Sequence, residues 1–133
     1  MQDIKKKFSD VPTRDKAARI IAWLEEHKAR DILALDLEGV NAFTEALVIV
    51  TATSVRHGQS LADGLLDVCS KENLEFLRME GYQTGQWVLV DMNDVVVNIF
   101  QEPVRGLFRL ENLWREAPVL HDGRAEAAGG PLQ

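Results

Sequence analysis

Two aspartates, Asp91 and Asp94, stand three residues apart in GQWVLVDMNDVVVNIF, residues 85–100. Carboxylates this close can share a divalent cation or divide the acid and base tasks of a proton transfer. They are equally the residues that favour a tight turn. Asp91 closes one apolar run and Asp94 opens the next, which places both at a hairpin tip, with Asn93 suited to the positive φ of such a turn. A solvated tip with two acids lacks the further oxygen ligands a metal needs. Turn chemistry is therefore the expected role.

Asp36 and Glu38, in ALDLEG, alternate onto one side of an extended segment. Nucleotidyl transfer calls for a Gly-Ser turn ahead of carboxylates that hold two metals. No Gly-Ser precedes either pair, and neither GxxxxGK[ST] nor GxGxxG occurs. His27, His57 and His121 show no metal-ligand spacing. Cys69 ends an apolar helical stripe, as a small buried hydrophobe does, and no base is paired with it by spacing. The sequence thus predicts no catalytic residue, metal, cofactor or small-molecule substrate. A metal-dependent nucleotidyl-transfer enzyme is the alternative, with Asp36, Asp91 or Asp94 as ligands.

The elements that position these residues follow from periodicity. Ala17, Ile20, Ile21 and Leu24 recur at helical spacing from Pro12 to about Ala29, with Thr13 or Asp10 as candidate caps. DILALDL (31–37) and ALVIVTAT (46–53) read as antiparallel strands, since the EGVNAFTE turn, with Gly39 and Asn41, is too short for a parallel crossover. Residues 54–73 form a second helix capped by Thr53 or Ser54, which Gly58 and Gly64 weaken slightly unless they serve close backbone approach. LEFLRMEG (74–81) is a third strand, and WVLVD and VVVNIF are the fourth and fifth, joined by MND. PVRGLFRLENLWREA (103–117) is the closing helix, its apolar face made by Leu107, Leu110, Leu113 and Trp114. The order α-β-β-α-β-β-β-α predicts one α/β layered domain over 12–117, a mixed five-stranded sheet with flanking helices. Residues 1–11 are expected to be flexible and 118–133 disordered, being small, polar and rich in Gly and Pro.

Aromatic placement points to a binding surface. Val88 and Val90 claim the core side of the fourth strand, which turns Trp87 toward a less covered face; Phe108 and Arg105 lie one turn apart in the closing helix. Exposed aromatics with arginine are typical anchors of protein interfaces, although both rings could equally belong to the core.

The 133 residues suit one domain, and 46% hydrophobic with 27% charged is the balance of a soluble globular protein. Net charge is −6. Its distribution matters more: residues 30–116 hold seven basic and fourteen acidic residues, while residues 1–29 hold seven basic and five acidic. An acidic body disfavours direct DNA or RNA binding and favours a basic protein partner. Lys5, Lys6 and Lys7 are the exception, a short basic stretch that reads as a solvated lead-in to the first helix, with contact to nucleic acid as the alternative. One cysteine permits no internal disulfide, no apolar stretch follows the N-terminal lysines, and no run spans a bilayer, so a cytoplasmic protein without a membrane association is expected.

DILALDLEG, VIVTATSVRHGQSLAD, GQWVLVDMNDVVVNIF and RGLFRLENLW resemble, in order and spacing, the ribosomal silencing factor family (RsfS, or Iojap), from about Asp31 to Trp114. The resemblance implies a nucleotidyltransferase-like shape without the catalytic residues. It implies binding to the large ribosomal subunit through large-subunit ribosomal protein fourteen, a block on joining with the small subunit, and repression of translation when nutrients are short. It further implies a role in large-subunit maturation, homodimers off the ribosome and no cofactor. Carried over by position, the contact surface centres on Trp87, Asp94, Asn98, Arg105, Phe108 and Glu111. Asn98 stands where the family usually has histidine, Asn93 where glycine is usual, and Phe108 where tyrosine is common, keeping the ring and losing its hydroxyl. An interaction module for a non-ribosomal protein is the remaining alternative.

Overall fold

ALVIVTA is apolar at every position but Thr51, and such a strand is stable only with both faces covered. In the computed structural model, which describes residues 11–40 and 44–124, this strand is β2 (Ala46–Ala52), and all seven of its residues are buried. Around it lie α1 (Thr13–Glu26), β1 (Arg30–Asp36), α2 (Val55–Glu72), β3 (Arg78–Glu80), β4 (Trp87–Asp91), β5 (Val95–Gln101), α3 (Glu102–Phe108), a 3-10 turn (Leu110–Trp114) and β6 (Val119–Asp122). The sheet order is β3-β4-β5-β2-β1-β6; β2 and β5 are parallel, and the other pairs are antiparallel.

Alternation divides the strands between two cores. Ala46, Val48, Val50, Val88, Val90, Val97 and Ile99 point to one face, where α1 supplies Ala17, Ile20 and Leu24 and α2 supplies Leu61, Leu65, Val68 and Cys69. Leu33, Leu35, Leu47, Ile49 and Phe100 point to the other, covered by Val104, Leu110, Trp114 and Ala117. Ser54 caps α2 by accepting from the His57 amide. Gly64 makes room for Trp23, whose ring a Cβ there would meet at 2.2 Å; a Cβ on Gly58 meets its neighbours at ordinary distances of 3.4 Å and more.

Four expectations are corrected. The sheet has six strands, not five: β6 lies in the segment read as a disordered tail, and it adds to β1 because Val119, His121 and Asp122 pair with Leu35, Ala34 and Leu33. Val11, assigned to the flexible N-terminus, packs against the first core. The third strand is three residues long, since Leu74 is drawn into the core and only Arg78–Glu80 pairs with β4. The closing helix is broken: Arg109 takes a left-handed conformation, φ 47°, its amide bonding back to the Arg105 carbonyl, and the chain restarts as a 3-10 turn. Residues 1–10, residues 41–43 with Asn41 among them, and residues 125–133 lie outside the described residues.

The hairpin tip makes the expected turn but is not the solvated tip read from the sequence, since Met92 is buried and Asp91, Asn93 and Asp94 are half-buried. Asn93 has φ 77°, its amide donates to Asp91 Oδ1 at 3.0 Å, and its side chain donates to Glu75 at 2.8 Å. Asp94 is tied to α1. Lys16 is 1% exposed, and its Nζ donates to Asp94 Oδ1 at 2.6 Å and to the Met92 carbonyl at 2.7 Å. Thr13, a candidate cap by sequence, bonds instead to Asp94 Oδ2 at 3.0 Å and to Glu45, and α1 starts after Pro12 without a side-chain cap.

Removing one partner of a buried ion pair strands the other. Lys16→Ala is expected to cost about 3 kcal/mol, read by denaturant titration. Gly81 has φ 80°, and a Cβ there would approach the Trp87 carbonyl oxygen to 2.1 Å; Gly81→Ala is expected to cost about 2 kcal/mol in the same measurement. Burial pushes the Cys69 thiol up to about 11. Aromatic disulfide reagents at pH 8 should therefore label Cys69 slowly in the native protein and rapidly once it is unfolded.

Candidate partner-binding face

The second sheet face is covered unevenly. Cross-strand register places Trp87 opposite Phe100, Leu89 opposite Asn98 and Asp91 opposite Val96, and Phe100, Asn98 and Val96 continue onto Thr51, Ile49 and Leu47 of β2. Over β1 and β2 this face is closed by Leu110, Trp114 and Ala117. Toward β4 the cover thins: Leu89, Val96 and Trp87 are half-buried, and Arg78 and Glu80 on β3 are exposed.

Phe108 of α3 borders this opening, and Leu107 of α3 and Leu113 of the 3-10 turn are exposed as well, while Val104 packs against the second core. Leu107 is 76% exposed, Phe108 54% and Leu113 71%. Periodicity across a continuous helix assigns Leu107 and Leu113 to the buried stripe. The left-handed Arg109 resets the phase, so Leu110 and Trp114 pack inward while Leu107 and Leu113 do not. No glycine marks that break in the sequence, so no local signal could have found these two residues. Phe108 meets Trp87 at 5.1 Å between centroids, and Trp87 rests on Phe100 at 4.7 Å.

Of the six residues assigned to the contact surface by sequence, Trp87 and Phe108 come together on the open face. Asn98 lies beneath them, 1% exposed, accepting the Trp87 indole N–H at 3.0 Å. Arg105 is buried and donates to the Asp31 carbonyl at 2.7 Å and to Thr51 Oγ1 at 2.8 Å, which pins the irregular start of β1 to the end of β2. Asp94 faces α1 through Lys16. Glu111 is half-buried between two clefts of about 380 and 150 Å³, with Oε1 unpartnered among the described residues.

The carboxylates do not converge. Asp36 Oδ1 accepts the Glu38 amide at 3.0 Å, a turn contact, and Asp91 and Asp94 serve the hairpin as described. Among the described residues no group of three or more His, Cys, Asp or Glu is placed to hold a metal ion. His57 accepts the Thr53 amide at Nδ1 and donates from Nε2 to the His27 carbonyl, joining the start of α2 to the end of α1. Among the described residues no helix is long and apolar enough to cross a membrane.

Comparison with known proteins agrees with this architecture. Residues 10–130 match the family described as "Ribosomal silencing factor during starvation". The chain is 36% identical over 98 residues to the ribosomal silencing factor RsfS of Bacillus subtilis, covering 74% of this chain and 83% of that protein. A crystal structure of a Chromobacterium violaceum protein superposes with a TM-score of 0.76 at 28% identity, covering 79% of this chain and 88% of that one. A mouse protein named mitochondrial assembly of ribosomal large subunit protein 1 is 25% identical over 100 residues, 71% of this chain and 43% of that protein. The chain belongs to the ribosomal silencing factor (RsfS) family.

Proposed function

We propose that this protein represses translation when nutrients are limiting by binding the large ribosomal subunit through large-subunit ribosomal protein fourteen and blocking its joining with the small subunit. The observation that carries the reading is the Trp87–Phe108 ring pair on the thinly covered side of the second sheet face, with Leu107 and Leu113 also exposed on α3 and the turn that follows it. Large aromatics over a desolvated centre are where interface energy concentrates. Net negative charge suits a partner as basic as a ribosomal protein. The mouse relative's name supports association with the large subunit and a part in its maturation. The mechanism is steric and needs no catalytic group: a rigid body seated on the joining face occupies space the small subunit requires. Arg105 and Asp94 would contribute by holding β1, β2 and the hairpin in place. Off the ribosome, a homodimer would cover the same exposed apolar side chains.

Sedimentation with separated subunits tests the reading. The protein should comigrate with large subunits and lower the yield of joined ribosomes when small subunits are added. Migration apart from large subunits, or an unchanged yield, overturns it. Trp87→Ala should weaken binding by about 2 kcal/mol, close to thirtyfold.

A further inference from the structure

Asn98 sits in β5 among Val97, Ile99 and Phe100, all fully buried or nearly so. Its Oδ1 accepts the Trp87 indole N–H at 3.0 Å, while its Nδ2 has no partner among the described residues. A buried amide whose NH2 group is unpartnered is less stable than an apolar side chain of similar size. The fold alone therefore gives no reason for asparagine here. At 1% exposure it is also out of reach of a partner that docks without rearranging the face. The group it does engage is the sole polar atom of the indole.

We infer that Asn98 is a positioning residue that consumes the Trp87 indole N–H, so that a partner meets Trp87 through hydrocarbon alone and must seat an apolar group on it. This rests on the reading of the face in the proposed function. Asn98 is a diagonal neighbour of Trp87 across the β4–β5 pair, within reach of a large side chain. The hydrogen bond fixes the ring about its long axis, and Phe100 below and Phe108 beside it complete the seat. A free indole N–H would need a partner acceptor or lose its hydration on docking. Satisfied internally, it imposes neither demand, and recognition at Trp87 becomes one of shape and apolar contact.

A double-mutant cycle on the full chain, with purified large subunits as the probe, tests this. Asn98→Leu should shift the Trp87 indole resonance, assigned by its disappearance in Trp87→Phe, and weaken binding at least tenfold. Asn98→His, which restores a ring acceptor, should recover most of that loss. In the Trp87→Phe background Asn98→Leu should change binding less than twofold, because there is no N–H left to position. Thermal melts establish that each variant is folded, and Asn98→Ala replaces the leucine variant should that one not fold. An equal loss in the wild-type and Trp87→Phe backgrounds overturns the inference, as does wild-type binding by Asn98→Leu despite a shifted indole resonance. Wild-type binding by Trp87→Ala overturns instead the reading of the face on which the inference rests.

Discussion

A strand buried on both faces, β2, sets the terms for the rest of the molecule. Apolar residues of ALVIVTA point to both faces, so one layer of helices is insufficient. Helices α1 and α2 seal the first face along its length. The second face is sealed by a short segment, α3 with its 3-10 turn, which reaches across β1 and β2. Chain length after β5 is spent there. The β4 side of the same face keeps partial cover, and this asymmetry leaves Trp87, Leu89 and Val96 half-exposed.

Charged groups near this sheet act mainly as fasteners. Lys16 enters the core from α1 and finds both a carboxylate and a carbonyl, so one buried ammonium fixes a helix to a hairpin. Arg105 does the same from α3, reaching the irregular start of β1 and the hydroxyl at the end of β2. Burial of a charge is tolerated only with such compensation. These contacts hold rigid the two elements that border the open face. A face held in place in this way loses little entropy on docking.

The open face pairs aromatic area with few polar demands. Trp87 is wedged between Phe100 and Phe108, and its N–H is directed inward to Asn98. Leu107 and Leu113 extend apolar area onto α3 and the turn that follows it. Exposed apolar side chains in such number ordinarily mark an interaction surface. The net charge of −6 favours long-range attraction to basic rather than acidic molecules.

Local pattern determined much of this protein. Strand alternation already put Val88 and Val90 inward and Trp87 outward. Helical spacing found the buried stripes of α1 and α2, and Asn93 disclosed the turn in which Asp91 and Asp94 sit. The family was legible in four motifs because its residues are tied to that local geometry. Tertiary structure alone decided the remainder. Arg109 enters the left-handed region without a glycine to announce it, and this exposes Leu107 and Leu113. Val119–Asp122 reads as tail until the unpaired edge of β1 offers it backbone partners. Lys16, Asp94 and Arg105 look like surface charges in sequence, and only the approach of elements distant along the chain turns them into buried ties. The physical reason is common to all: spacing along the chain reports which side chains share a face, whereas what covers that face depends on segments far away in sequence.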